Sequence, residues 1–283
     1  MRAVMLIAFL LYSSMGISQL EHPKASPLAV SKQHFGLSTI TVTYSRPAVN
    51  GRKIFGNLVP YDRIWRVGAN ESTKFTCDSE LEVLGSIVPA GTYALYAFPG
   101  EKVWEIVFHK NITHWGDGRD AYNSEEDLFR VTLPVEKLPE LQENFLITFD
   151  KISHNDLQML LEWEYSRVRI PIVTNTHDRM LRQIDSAISG NPTAQTYYEA
   201  ARYLQEQQTD YETALQYLER AIVLGGDTYY FHRVKSLVQA ARGDYGPAIA
   251  SAQRSMKLAA AEGKDEFVRM NRANIEAWKK LQD

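Results

Sequence analysis

The hydrophobic pattern of the chain changes its period once, near Val173. Before that point, apolar and polar residues alternate over short stretches, which is typical of strands with one buried face. After it, apolar residues recur every three or four positions, which is typical of amphipathic helices. A single change of period predicts two segregated parts rather than strands alternating with helices. We therefore predict an α+β protein with a β domain at residues 19–174 and a helical domain at residues 175–283.

The β domain contains at least eight candidate strands separated by turns. Pro89-Ala90-Gly91 is one such turn, because proline presets a backbone angle and glycine adopts angles that other residues avoid. No helical period intervenes, so the expected architecture is an antiparallel β-sandwich or barrel. The candidate strands are Ser38–Ser45, Glu80–Val88, Gly91–Phe98, Val103–His109, Leu128–Val135, Asn144–Ile152, Leu157–Glu164 and Val168–Val173.

Alternation within the stretch 157–164 predicts which of its side chains face the core. Side chains two positions apart lie on the same face of a strand. The residues expected inside are Leu157, Met159, Leu161 and Trp163, and those expected outside are Gln158, Glu162 and Glu164. Two outward carboxylates could serve a glycosidase, but a solvated strand face is the favoured interpretation.

The helical domain contains an internal repeat. Asp210-Tyr211 recurs 34 positions later as Asp244-Tyr245, and Ala214 matches Ala248 at the same spacing. Small residues at fixed positions let paired helices approach closely, and the period resembles that of the tetratricopeptide family. We predict a half repeat at 177–192, full repeats at about 195–228 and 229–262, and a final helix at Asp265–Leu281.

Aromatic residues are frequent in these repeats. They could line a groove for a peptide, since helical repeats present concave binding surfaces. Packing between helices is the favoured interpretation, because the residues recur at helical spacing. The residues are Tyr197, Tyr198, Tyr203, Tyr229, Tyr230 and Phe231.

A long insertion interrupts the strand pattern between Tyr44 and Thr76. Loops longer than about 12–15 residues are usually functional or disordered. Apolar side chains such as Phe55 and Trp65 can pack on a core, so we expect this segment to be ordered. It carries six cations against two acids in a chain of net charge −3. These cations need partners, either the protein's own oxygens or an anionic ligand.

The insertion supplies the candidate binding site. We predict that a small polar or anionic ligand binds to a set of its polar residues, namely Arg46, Arg52, Arg66, Asn70 and Glu71. Arginine binds carboxylate, phosphate or sulfate through two parallel hydrogen bonds. The favoured alternative is structural, because the same arginines could fasten the loop to the sheet through open backbone carbonyls.

A second polar group has the composition of a zinc site. Its members are His109, His114, Asp117 and Asp120. Their spacing fits no helix face, so we interpret them as exposed loop residues around Trp115 and predict no metal and no cofactor. The neighbouring run Glu125-Glu126-Asp127 is interpreted as solvated.

Several runs in the β domain resemble one bacterial family. They are YSRP from Tyr44, GRKIFG from Gly51, LVPY from Leu58, WRVGANE from Trp65, VPAGTYAL from Val88 and LEWE from Leu161. Together they are similar to the family called domain of unknown function 2911, over about residues 24–173. The resemblance implies an exported envelope protein, with helical repeats appended in some members. It implies no catalytic residues.

The N-terminus has the pattern of a signal peptide. Arg2 precedes an apolar run from Ala3 to Tyr12 and then small residues, which predicts cleavage near Ser18. A membrane span needs about 20 apolar residues, so we expect no permanent anchor. The only cysteine, Cys77, cannot form an internal disulfide, which favours a periplasmic or secreted bacterial protein.

Two functional hypotheses remain open. The first is an exported, non-catalytic binding or scaffold protein, in which the β domain binds the polar or anionic ligand and the repeats bind a protein partner. The second is an envelope hydrolase with Glu71 as general base and Arg46 or Arg66 stabilising developing negative charge. The net charge of −3 gives no reason to expect a nucleic acid partner.

Overall fold

The computed structural model describes residues 22–116 and 121–282. The chain divides into two compact units between Thr176 and His177. A nine-stranded antiparallel sheet forms the first unit and six helices form the second, so the predicted α+β organisation is confirmed. The predicted signal peptide, residues 1–18, lies outside the described residues. Among the helices that are described, none is long and apolar enough to cross a membrane.

Every neighbouring pair of strands in the first unit is antiparallel. The order across the sheet is β1-β2-β3-β6-β7-β8-β9-β4-β5. The strands are β1 (Leu28–Phe35), β2 (Ser38–Ser45), β3 (Thr73–Cys77), β4 (Leu81–Val83), β5 (Ser86–Val88), β6 (Gly91–Pro99), β7 (Val103–His109), β8 (Asp127–Asp150) and β9 (Asp156–Val173).

One long strand, β8, connects the two halves of the sheet. It pairs with β7 up to Pro134 and with β9 from Val135 onward. Residues of both halves therefore share one core, which includes Phe75 of β3 and Leu161 of β9. The predicted strands 128–135 and 144–152 lie largely within this single strand, which ends at Asp150. Between them, Glu136, Lys137 and Gln142 pair with β9 across two irregularities of register.

Within 157–164 the predicted inward face of β9 is confirmed, but two positions on the opposite face, Leu160 and Glu162, are also buried. Residues at the predicted inward positions are all buried, namely Leu157, Met159, Leu161 and Trp163. The prediction was wrong for Glu162, whose exposed fraction is 8%. Its carboxylate accepts a hydrogen bond from Nε of Arg167, so the buried charge is paired with a half-buried cation.

Three helices of the second unit begin at side-chain caps. Oδ1 of Asp210 accepts from the backbone N–H of Thr213, and Thr228 caps its helix in the same way at Phe231. Ala214 and Ala248 are both fully buried, as the 34-residue spacing predicts, which is consistent with helical repeats. The helices are α1 (Thr176–Ser189), α2 (Ala194–Glu206), α3 (Tyr211–Gly225), α4 (Tyr229–Ala241), α5 (Tyr245–Ala261) and α6 (Asp265–Gln282).

Candidate functional site

The insertion between β2 and β3 is ordered because its aromatic side chains enter the core of the first unit. Phe55 lies 4.7 Å from Trp104 of β7, between ring centroids. Trp65 stacks on Trp163 of β9 at 5.9 Å and meets Phe145 of β8 edge-on at 5.2 Å. All five rings are buried. Aromatic pairs in these arrangements add to the free energy gained from burial alone.

Two of the predicted site arginines bind backbone carbonyl oxygens. Nε of Arg46 donates to the carbonyl of Phe145 at 2.9 Å, which ties the start of the insertion to β8. Arg52 donates from Nε to the carbonyl of Val49 at 3.0 Å and from Nη2 to that of Ala48 at 2.5 Å. These contacts fasten the insertion to itself and to the sheet, as the structural alternative requires.

The other three predicted residues lie at the end of the insertion. Arg66 is half-buried, and its carbonyl accepts from the N–H of Thr73 at 3.2 Å. Asn70 has a positive φ of 61° and donates to Oγ of Ser45 at 3.1 Å. Its carbonyl also accepts from the N–H of Gly116 at 3.2 Å. Asn70 therefore joins the insertion to β2 and to the loop after β7.

Glu71 is exposed at the edge of this junction. Its backbone forms an isolated bridge with Trp115, whose side chain has an exposed fraction of 68%. Burial lowers the pKa of the neighbouring Lys74 ammonium, while the Glu71 carboxylate acts in the opposite direction. Nζ of Lys74 donates to the carbonyl of Ser72 at 3.1 Å. Glu71 is thus a solvated carboxylate near one half-buried cation.

A second set of polar residues converges where β7 ends and β8 begins. One potential ligand atom from each of His109, His114 and Glu126 lies within 4.8 Å of the other two. We name these three residues the histidine cluster. Nε2 of His109 is 3.5 Å from a carboxylate oxygen of Glu126. The interpretation of His109 as an exposed loop residue is wrong, because its side chain is fully buried.

Each member of the histidine cluster has a polar neighbour of its own. Nδ1 of His109 is 2.8 Å from Asp127, and Nδ1 of His114 is 3.3 Å from the hydroxyl of Tyr96. Nδ2 of Asn111 lies 3.3 Å from Glu126. These contacts restrain the side chains before any ligand is present.

Asp127 belongs to a further hydrogen-bond network. The hydroxyl of Tyr122 donates to its carboxylate at 2.7 Å, and Nε of Arg130 donates to it at 2.7 Å. Burial, together with the nearby Asp127, raises the pKa of Tyr122, so its hydroxyl remains a donor. Asp127 was interpreted as part of a solvated run, but its side chain is only 8% exposed.

Sequence reasoning noticed the two histidines but not Glu126 as their neighbour. The missing information is the register of β7 against β8, which places His109 opposite Asp127. If β7 and β8 had been assumed to pair antiparallel, the acidic run at the start of β8 would have been predicted to lie beside His109 at the end of β7. The other two candidates, Asp117 and Asp120, lie outside the described residues.

The second unit carries a row of aromatic side chains. Tyr198 of α2 lies 5.0 Å from Tyr230 of α4, and Tyr229 lies 4.7 Å from Phe267 of α6, between centroids. Tyr229 and Tyr230 are 5.4 Å apart. We name these four residues the aromatic row. All four are half-buried, so they pack between helices and also retain exposed surface.

Comparison with known proteins identifies a family for the first unit. No curated protein and no solved structure matches the chain. One family model, described as a protein of unknown function, DUF2911, matches residues 26–172, which is more than half of the chain. The matched residues contain β1 to β8, nearly all of β9, the insertion and the histidine cluster. The chain therefore belongs to the DUF2911 family.

Proposed function

We propose that the protein is an exported binding or scaffold protein whose helical unit binds an extended segment of another protein. The observation that carries this proposal is the aromatic row, which runs over α2, α4 and α6. These are alternate helices of the array, and in stacked helical pairs alternate helices line the same face. The row therefore forms one continuous surface rather than isolated contacts.

The chemistry of the row fits a peptide with apolar or aromatic side chains. Half-buried tyrosines offer large, rigid contact areas with little loss of side-chain entropy on binding. Burial raises the pKa of the Tyr198 hydroxyl, which keeps it protonated and able to donate to a peptide carbonyl. Arg202 lies beside Tyr198 and forms an ion pair with Glu206 at 2.7 Å. Polar groups thus border an apolar surface, as at many protein interfaces.

In this proposal the first unit is mainly a rigid platform. The contacts of Arg46 and Arg52 with backbone carbonyls support that role.

A polar or anionic ligand at Arg46, Arg52, Arg66, Asn70 and Glu71 remains a prediction. The alternative, an envelope hydrolase with Glu71 as base, gains no support from a carboxylate that is exposed to solvent. Export after cleavage near Ser18 is part of the proposal.

The test is selection of peptides from a displayed library on the full chain, followed by anisotropy measurements with the selected peptides. We expect Tyr198→Ala and Tyr230→Ala each to weaken binding about tenfold or more, as for aromatic residues at interface centres. Tyr245→Ala is the matched control, because Tyr245 is half-buried on α5, outside the row. Circular dichroism checks that each variant is folded. Peptides that bind all three variants equally well would refute the proposal.

A further inference from the structure

We propose that the histidine cluster of His109, His114 and Glu126 binds a divalent metal ion of the zinc class. This site lies in the first unit and is independent of peptide binding by the helical unit. Two imidazoles and one carboxylate are a donor set that proteins use for zinc. The case depends on the spacing of the donor atoms, the burial of His109 and the contacts that orient the ligands.

The spacing of two donors already matches tetrahedral coordination. Nitrogen and oxygen ligands lie about 2.1 Å from zinc, so two of them in a tetrahedron are about 3.4 Å apart. Nε2 of His109 and the carboxylate oxygen of Glu126 are 3.5 Å apart. The donor of His114 lies within 4.8 Å of both, so a small rotation of this half-buried ring completes the set.

The burial of His109 requires a partner for its second nitrogen. Nδ1 lies 2.8 Å from the carboxylate of Asp127, which therefore serves as its partner. Nε2 points towards Glu126 and lies 3.5 Å from its nearest carboxylate oxygen, beyond good hydrogen-bonding distance. This nitrogen is buried and has no hydrogen-bond partner within the described part of the chain. A cation bound between Nε2 and the Glu126 carboxylate would give this buried nitrogen the partner that it lacks.

The contacts around the cluster are those of a restrained metal site. Ligating histidines commonly donate their other N–H to a carboxylate, and Asp127 fills that role for His109. Asp127 is itself fixed by Tyr122 and Arg130, at 2.7 Å each. Asn111 contacts the carboxylate of Glu126 at 3.3 Å. Restraints of this kind reduce the entropy that ligands lose when an ion binds.

The donor types select the class of ion. Calcium and magnesium prefer sites built from oxygen atoms, whereas imidazole suits zinc, cobalt, nickel and copper. Placing zinc here would link the end of β7, the loop containing His114 and the start of β8. The ion would therefore hold the loop against the sheet beside the exposed Trp115. That side chain is next to His114 in sequence and is placed to report on binding.

The experiment uses the mature full chain after removal of any affinity tag and treatment with a chelator. Zinc affinity is measured by competition with a chromophoric chelator, and the geometry of the site is read from the visible spectrum of the cobalt form. We expect one ion per chain and an intense cobalt spectrum typical of four-coordinate sites. His114→Gln and Glu126→Gln should each weaken zinc binding at least about 100-fold. Asp127→Asn should weaken it about 10–100-fold, as for residues that orient metal ligands.

The controls separate loss of metal from loss of fold. His34→Gln removes an exposed histidine of β1 and should leave the affinity unchanged. Glu126→Gln keeps the size of a side chain that is 40% exposed, so this variant should fold and unfold without metal like the wild type. Zinc should raise the Tm of the wild type but not that of Glu126→Gln. Absence of stoichiometric zinc or cobalt binding, or equal weakening by His34→Gln, would overturn the proposal.

Discussion

Trp65 and Ala97 exchange both of their backbone hydrogen bonds, each 2.8 Å long. Strand β3 pairs with β6 only as far as Leu95, and Trp65 of the insertion takes the next pairing position. The insertion thus pairs with the part of β6 that extends beyond the end of β3. In addition, Nε1 of Trp65 donates to the carbonyl of Gly68 at 3.1 Å, so its buried polar atom is satisfied.

This position makes Trp65 the side chain on which the order of the insertion most depends. We expect Trp65→Ala to lower the free energy of unfolding by about 3–5 kcal/mol, because it leaves a cavity among buried rings. Trp115→Ala is the matched control and should change stability by less than about 0.5 kcal/mol, since Trp115 is 68% exposed. Urea unfolding followed by far-ultraviolet circular dichroism measures both. Equal effects of the two variants would contradict this account of the insertion.

Arg46 distinguishes a structural role of the insertion from ligand binding. Its Nε donates to the carbonyl of Phe145, so we expect Arg46→Ala to cost about 1–2 kcal/mol of stability. Arg63→Ala, which removes an exposed cation of the same insertion, should be close to neutral. Urea unfolding of the two variants measures the difference. Unchanged stability of Arg46→Ala together with lost binding of an organic anion would instead favour the ligand site.

Local patterns sufficed to predict the segregation of strands and helices. Alternation in β9 identified Trp163 and its inward neighbours because the side-chain period of a strand is fixed by its backbone. Ala214 and Ala248, which are 34 positions apart, are both buried, in agreement with the prediction that small residues at this spacing let helices approach closely. Both predictions need only the geometry of a single element or of its repeat.

The features that the sequence did not predict depend on contacts between distant residues. The burial of Glu162 depends on Arg167, and the continuity of β8 depends on its change of partner at Pro134. The histidine cluster depends on the loop that returns His114 to the end of β7. The charge of Asp127 suggests a solvated residue until His109 is known to lie opposite it. Such pairings follow from register, which alternation alone does not specify.

In the second unit, Asn271 is a buried polar residue that connects three helices. Its Nδ2 donates to Oγ of Ser255 at 2.8 Å, and its Oδ1 accepts from Nη1 of Arg233 at 2.9 Å. Burial lowers the pKa of Arg233, because its guanidinium is partly removed from solvent. We expect Asn271→Ala to lower the free energy of unfolding by about 1.5–3 kcal/mol.

Thermal and urea unfolding of Asn271→Ala should be compared with Asn274→Ala on the same helix. Asn274 is half-buried, and its replacement should change stability by less than about 0.5 kcal/mol. A loss confined to Asn271→Ala would show that the buried network, rather than helix propensity, is responsible. Similar small effects of the two variants would contradict the importance of the network.

Cys77 should be protected from thiol reagents in the folded protein. Its side chain is buried at the end of β3, and Sγ donates to the carbonyl of Pro89 at 3.3 Å. Burial raises the pKa of the thiol above its ordinary value, so little reactive thiolate is present at pH 8. We expect labelling to be about 1,000-fold slower or more than in the urea-unfolded chain, in line with the stability of ordinary domains.

The same shift predicts a loss of stability at alkaline pH. Because the folded pKa is raised, the contribution of Cys77 is complete below the unfolded pKa of about 8.5 and is lost as pH rises towards the folded pKa. Between pH 8 and pH 10 the wild type should therefore lose more stability than Cys77→Ala, which has no thiol to ionise. Parallel stability curves for the two proteins, or rapid labelling of the folded wild type at pH 8, would show that Cys77 is not held in a closed core.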